Sequence, residues 1–363
     1  MDASSVSIIG GVMHEPTAQH GFIPPYILDR IIDHGSQGQR ERALGTLTHV
    51  RSLLPNPGPP KRQPMVGVVP EGARPGEPRR SIHNAQQQMV LPGVLARIEG
   101  QPAVGDAAVD EAYEALGKTH QFFWQVLGRN SIDNHGFPLV GTVHYGVGYE
   151  NAFWNGAQMV FGDGDGEIFN RFTSSLDVVA HELAHGVIES EAGLVYFNQS
   201  GALNESISDV FGVLVKQFGL GQTADQADWL IGAELLTDKV QGVALRSMAN
   251  PGSAYDDPLL GKDPQPGHMR DYVDTRDDNG GVHLNSGIPN RAFYLAATAI
   301  GGHAWETAGR IWYDTLCDRR LANDASFAAF AQLTLVHAEA RFGDADELRF
   351  VRRAWADVGV SVS

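Results

Sequence analysis

Eight of the chain's 19 prolines fall between residues 55 and 78: Pro55, Pro57, Pro59, Pro60, Pro64, Pro70, Pro75 and Pro78. Each fixes its own φ and lacks a backbone donor, so neither a helix nor a central strand survives that density. The stretch reads as an exposed linker. It divides the 363 residues into a short N-terminal segment and a body long enough to bury a large core. The two parts differ in charge. Residues 1–80 hold nine Lys or Arg against seven Asp or Glu, net +2, and the remainder carries −18. A small basic segment beside an acidic body suggests a module that docks. The overall charge of −16 excludes nucleic acid or an anionic membrane as the main partner. No apolar run approaches the ~18 residues of a membrane span.

Within the N-terminal segment, Ile27, Leu28, Ile31 and Ile32 follow Pro24-Pro25. This predicts a short amphipathic helix opened by proline. It is too small to fold alone and needs another surface. Met1 to Phe22 reads as a polar, frayed start. No Lys or Arg precedes the mildly apolar run Ser7–Met13, so no standard secretory signal is recognised. A cytoplasmic protein, or one exported by a non-classical route, is expected. The single cysteine, Cys317, rules out an internal disulfide. Lying in an expected helix between Trp312 and Leu321, it reads as a buried, inert thiol.

In the body, Asp110 to Leu127 has the spacing of a helix. Leu139-Val140, Thr142–Tyr145 and Met159–Phe161 read as strands, and from about residue 174 the pattern turns mostly helical. Strands followed by helices predict an α+β body, with two lobes a natural arrangement.

The chemistry concentrates at His181-Glu182-Leu183-Ala184-His185. Thr173, Ser174 or Ser175 is expected to cap a helix there. Residues i and i+4 share a helix face, so His181 and His185 can offer two imidazole nitrogens to one metal. Glu182 lies beside them, placed to hold a water. Alone, the pentapeptide is also compatible with a structural helix bearing two histidines. A second helix, Gly201 to Phe211, puts Glu205 and Asp209 at the same i, i+4 spacing. A catalytic zinc takes three protein ligands and keeps one position open. Glu205 supplies a candidate third ligand. Asp209 supplies an acceptor for the second N–H of a ligating histidine.

His181-Glu182-x-x-His185 with Gly201-Ala202-x-Asn204-Glu205-x-x-Ser208-Asp209 resembles the gluzincin pattern of thermolysin-like neutral metalloendopeptidases. Asn151–Gly156 resembles that family's substrate-binding edge strand, Gly193–Tyr196 its active-site tyrosine segment, and Asp278–Gly287 the segment of its second histidine. The resemblance implies a two-lobed fold, with a β-rich N-terminal lobe, a mainly helical C-terminal lobe and the zinc helix between them. It implies one Zn2+ held by His181, His185 and Glu205, with Glu182 as general base. Tyr196 and His283 would stabilise the oxyanion. Asp209 would orient His181, Asp278 would orient His283, and Asn204 would support His185. Arg246, Asn151 and the Ala152 backbone would hold the peptide as an added strand. Phe169, Val178, Ile231 and Leu245 would line the pocket for the residue after the cleaved bond. All four are apolar, so the implied cut lies on the N-terminal side of bulky apolar residues, with broad selectivity.

Two departures qualify the resemblance. Thermolysin-like double calcium sites are built from carboxylates, and Asp177 and Asp228 stand at two of those positions. Lys216, Leu230 and Ala233 occupy three others. A lysine inside the cage is incompatible with six to eight oxygen ligands. The double site is therefore expected to be absent, with Lys216 pairing to Asp177 or Asp228; single calcium sites stay open. The second departure is the short N-terminal segment, where Ile23-Pro24-Pro25-Tyr26-Ile27-Leu28 resembles the propeptide of the protealysin subgroup. The expected organisation is an inhibitory propeptide over 1–55 and a linker over 56–80 containing the activation cleavage. An N-terminal catalytic lobe over 81–190 and a C-terminal lobe over 191–363 follow. The expected function is a zinc endopeptidase made as a zymogen, acting on peptides and bound by its own propeptide. Two alternatives are a catalytically silent zinc protein and a zinc aminopeptidase. Intact Glu182 and His283 argue against the first, and the lack of a recognisable acidic anchor for a free amine argues against the second.

Overall fold

The computed structural model describes residues 20–53 and 74–362. Residues 1–19 of the expected frayed start and most of the linker, with its cleavage region, lie outside them; His20 to Phe22 are not frayed, because His20 and Gly21 pair into the sheet and Phe22 is wholly buried.

The N-terminal segment enters as β1 (His20–Gly21) and continues into α1 (Pro25–His34). Pro25 opens α1, which buries Ile27, Leu28 and Ile31 as expected. A second helix, α2 (Gln37–Leu53), was not anticipated. Strand β2 (Arg80–Asn84) begins where the linker was expected to end and pairs with β3 (Val94–Ile98). Helix α3 (Ala107–Leu127) starts earlier than predicted, because the Asp106 carboxylate accepts from the backbone N–H groups of Ala108 and Val109. Gly128, in the left-handed region at φ 68°, ends it. Strands β4 (Leu139–Val143), β5 (Ala152–Trp154) and β6 (Met159–Phe161) follow, and His144 and Tyr145 fall outside the strand expected to contain them.

These strands form a six-stranded sheet in the order β1-β5-β6-β4-β2-β3. β1 runs antiparallel to β5, with Gly21 opposite Phe153 and His20 opposite Trp154. The N-terminal segment thus completes the catalytic lobe's sheet at one edge.

Helix α4 (Leu176–Ser190) carries the His-Glu-x-x-His motif. Every residue from Asp177 to Ile188 is buried. A helix covered on all sides must run through an interior, and this one passes between the lobes. The expected serine cap does not form. Ser175 occupies the capping position, but its hydroxyl donates to Asp177 Oδ1 at 2.6 Å instead of accepting from the helix. Thr173 and Ser174 lie in a preceding 3-10 turn.

Helix α5 (Asn198–Leu220) packs along α4. The approach is close at Gly212, where a Cβ would stand 2.7 Å from the Asp177 carbonyl oxygen. Two small hairpins interrupt the helical C-terminal lobe: β7 (Leu230–Ile231) with β8 (Arg246–Ser247), and β9 (Asp256–Asp257) with β10 (Gly261–Lys262). Helices α6 (Asp278–Asn285), α7 (Gly287–Ile300), α8 (Ala308–Leu316), α9 (Phe327–Phe342) and α10 (Asp346–Asp357) complete the lobe. One hydrophobic core runs through both lobes and includes Phe22, Ile23, Ile27, Leu28 and Ile31 of the N-terminal segment. Cys317 is half-buried rather than buried, because α8 stops at Leu316 and the chain turns there. Burial still pushes its thiol up to about 11, consistent with an inert group.

Candidate active site

His181 and His185 lie one turn apart on α4, with their Nε2 atoms 3.0 Å apart. Each ring is fixed from behind. His181 Nδ1 donates to Asp209 Oδ1 at 2.8 Å, and His185 Nδ1 donates to Asn204 Oδ1 at 2.8 Å. With Nδ1 carrying the proton, the neutral rings turn two bare lone pairs toward each other. Glu205 closes the group, with Oε2 3.5 Å from His181 Nε2 and Oε1 3.6 Å from His185 Nε2. Two imidazole nitrogens and a carboxylate converging in a fully buried place suit a cation. Two nitrogens on one tetrahedral zinc stand about 3.3 Å apart, close to the spacing observed. Residues and geometry therefore fit zinc. His181, Glu182 and His185 also bring three potential ligand atoms within 4.8 Å of one another, and Glu205 stands nearer than that to both ring nitrogens.

The two rings hold a proton differently, and His181, raised to about 9, would have to give one up to a metal. Burial lowers both imidazoles. At His181 the hydrogen bonds and charges of Asp209 and Glu205 overcome burial and raise it, whereas at His185 burial prevails. Glu182 is wholly buried, and neither carboxylate oxygen has a hydrogen-bond partner. Burial pushes it up to about 8, placing it among bases that exchange protons near neutrality.

Tyr196 and His283 face this centre from the C-terminal lobe. The Tyr196 hydroxyl donates to Glu205 Oε1 and lies 3.2 Å from His283 Nε2. His283 Nδ1 donates to Asp278 Oδ1 at 2.6 Å, and Asp278 Oδ2 accepts the His283 backbone N–H at 2.9 Å. This fork depends on an unusual backbone: Asp278 to Gly281 all have positive φ, and Gly280 and Gly281 accommodate the turn. Burial lowers His283, but the Asp278 and Glu205 charges outweigh it and raise it to about 9. The ring is then a double donor, and its Nε2 donates to the Gly21 carbonyl at 3.0 Å.

Arg246, on β8, forms a bidentate pair with Asp209, Nε to Oδ2 at 2.9 Å and Nη2 to Oδ1 at 2.7 Å. Its Nη1 donates to the Phe22 carbonyl at 3.3 Å. Asn151 Oδ1 accepts the Ile23 N–H at 2.8 Å, and the Ala152 carbonyl accepts the Phe22 N–H at 2.9 Å. Phe169, Val178, Ile231 and Leu245 are all buried in the core that contains Phe22. The Phe22 ring and the Leu245 Cβ both lie about van der Waals distance from where a Gly232 Cβ would stand.

The candidate ligands, Glu182, Tyr196, His283, Arg246 and Asn151 thus gather around one centre, and Phe169, Val178, Ile231 and Leu245 lie in the core that also holds Phe22. Sequence reasoning missed Asn290, whose side-chain amide donates to Asp209 Oδ2 at 2.9 Å. It also missed the use of the Ser208 hydroxyl, 3.1 Å from His185 Nδ1. Asn290 follows Pro289 in the first turn of α7, which is a helix-start signal and not a ligand pattern.

A helix-borne metal centre between two lobes, with a buried base and donors opposite, defines a metal-dependent hydrolase. The thermolysin metallopeptidase catalytic domain family matches residues 97–189, and the thermolysin metallopeptidase alpha-helical domain family matches 192–360. The protealysin propeptide family matches residues 20–62. An extracellular metalloprotease of Pectobacterium carotovorum subsp. carotovorum is 63% identical over 94% of this chain and 96% of its own length. A thermolysin from Bacillus sp. (strain EA1) is 39% identical over 77% of this chain and 50% of its own. The solved precursor of protealysin from Serratia proteamaculans is 60% identical, with a TM-score of 0.86 over 94% of this chain and all of that one. The chain belongs to the thermolysin family of metallopeptidases and carries a protealysin-type propeptide. Membership implies zinc.

Proposed function

We propose that the chain is a latent zinc endopeptidase that cuts on the N-terminal side of bulky apolar residues. The observation that carries this reading is the register of β1. Gly21 presents its carbonyl to His283, the wholly buried Phe22 sets its ring edge-on to His181 with its carbonyl at Arg246, and Ile23 is held by Asn151. The segment lies in the cleft as a peptide substrate would lie.

In this reading His181, His185 and Glu205 hold zinc, which supplies Lewis acidity toward a water and a carbonyl. Glu182 takes the proton and delivers it to the leaving amine. Tyr196 and His283 donate to the carbonyl oxygen as negative charge develops on it. Asp209, Asn204 and Asp278 keep the rings in the required tautomers. Arg246, Asn151 and the Ala152 carbonyl fix the register, and Phe169, Val178, Ile231 and Leu245 shape the pocket that Phe22 exemplifies. The segment up to about residue 55 acts as the inhibitor, 56–80 as the cleaved linker, and 81–190 and 191–363 as the lobes. The double calcium site is replaced by Lys216, whose Nζ lies 3.3 Å from Asp177 and 3.2 Å from Asp228. Action outside the cell is supported by the name of the Pectobacterium relative. No described helix is long and apolar enough to cross a membrane.

The test uses enzyme processed from the full chain. A strong chelator should abolish peptide hydrolysis, zinc should restore it, and Glu182→Gln should lower kcat by at least about a thousandfold. Metal analysis of active protein showing no zinc or other transition metal refutes the proposal.

A further inference from the structure

Arg42 leaves α2 and enters a socket in the catalytic lobe. Its Nη2 donates to Asp165 Oδ2 at 3.1 Å and Glu167 Oε2 at 3.4 Å, and its Nε lies 3.5 Å from Glu150 Oε1. The socket is built for such a side chain. Gly148 sits at φ +55°, and a Cβ there would stand 2.6 Å from Arg42 Cδ. Asp165 is oriented by its own turn, its Oδ1 accepting the backbone N–H groups of Glu167, Ile168 and Phe169 at 2.9, 2.7 and 3.1 Å.

Glu150 is the informative member. Its side chain is fully buried and faces the Arg42 guanidinium, and burial together with the Asp165 charge pushes its carboxyl up to about 8. Such a group is costly unless a cation faces it. The carboxylates of Glu150, Asp165 and Glu167 do not converge as tightly as the ligand atoms of His181, Glu182 and His185. They surround a planar fork instead, which is the geometry that suits a guanidinium.

The socket borders the downstream half of the cleft. Glu150 precedes Asn151, which holds Ile23, the second residue after the Gly21 carbonyl. The turn of Asp165 runs directly into Phe169 of the apolar pocket. A substrate held as this segment is would have its second residue after the cut at Asn151, next to Glu150, and its third ~3.3–3.6 Å further on. When the N-terminal segment leaves, Arg42 leaves with it.

We propose that the Glu150–Asp165–Glu167 socket, filled by Arg42 in the precursor, is a subsite of the processed enzyme for an arginine side chain two or three residues after the cleaved bond. This deepens the endopeptidase reading and rests on it.

The test compares kcat/KM of processed enzyme on quenched peptides identical except at those two positions, which carry arginine or its neutral isostere citrulline. Arginine should be preferred about tenfold, chiefly through KM, as expected for one buried charge-assisted contact. The ratio should shrink with added salt and approach one in Glu150→Gln. Glu167→Gln, at a half-exposed position, should reduce it partially and guards against misfolding of the buried variant. Equal rates for arginine and citrulline peptides overturn the subsite while leaving the endopeptidase reading intact. So does an arginine preference unchanged in Glu150→Gln. Failure to hydrolyse either peptide overturns both.

Discussion

A methyl group at Gly21 would stand 2.6 Å from Asn151 Nδ2. Asn151 is fully buried, and its side chain holds both the N–H and the carbonyl of Ile23, so it cannot withdraw without releasing the segment. Gly21→Val should therefore weaken inhibition, raising hydrolysis by intact, uncleavable precursor by on the order of tenfold. A rate unchanged from the parent precursor would contradict this. His144 lends itself to a pH test. Its ring lies between Asp163 at 2.9 Å and Asp106 at 3.0 Å. Burial lowers its pKa, but the hydrogen bonds and charges of the two aspartates outweigh burial and raise it. A raised pKa means stabilisation that is fully present below about pH 6.5 and lost as the pH climbs through the folded-state value. His144→Asn tolerates the positive φ of that position. It should lower Tm more in mildly acidic than in alkaline buffer, and a pH-independent difference would refute the assignment.

Elements differed in how far the sequence announced them. α4 and α5 were legible because the apolar spacing and the paired ligands at i, i+4 repeat one period. α2 was not, because only Ala43 and Leu47 among its described buried residues are apolar and the rest of its docking face is polar. Arg42, Thr46 and His49 fall on one side, reaching Asp165, the Glu150 N–H and the Tyr145–Tyr149 hydroxyls about a hundred residues away. Read alone, those residues look like a solvated surface. β1 is two residues long and is a strand only because β5 pairs with it. The candidate site divides the same way. Within-helix pairs were readable, while Asn290 and the Arg42 socket exist only once distant segments meet. The pairing of Lys216 with Asp177 and Asp228 was readable, because charge alone decided it. Lys216 bridges Asp177, Asp228 and the Leu230 carbonyl, tying α5 to α4 and β7. Burial lowers its pKa, yet the Asp177 and Asp228 charges raise it overall, so it stays charged. Lys216→Met strands the fully buried Asp177 and should cost on the order of 3 kcal/mol by denaturant unfolding. Thermal unfolding of the parent should shift little between calcium and a calcium-selective chelator, and two calcium ions bound beside Asp177 would refute the replacement.

At the scale of the whole molecule, the segment is a strand of the sheet, a plug in the cleft and a part of the core. Tethering raises its effective concentration to roughly millimolar, so modest intrinsic affinity suffices for latency. Glu182→Ala protein should accumulate at full length while the parent shortens by a cut between about residues 50 and 80, as mass spectrometry would show. A variant whose linker no protease can cut should stay inactive; hydrolysis as fast as that of the shortened form would mean that the segment does not inhibit.

Phe22, Ile23, Ile27, Leu28 and Ile31 share one core with the catalytic lobes. Cutting the linker removes a covalent tie but none of those contacts. Nicking and switching on are thus separate events in time. The first is a chemical step, and the second is a dissociation whose reverse is bimolecular. A freshly nicked preparation should show a lag before full activity, and dilution should favour release while concentration favours recapture. A cell storing this protein at high density would hold even its nicked copies quiet, and dispersal itself would become the trigger.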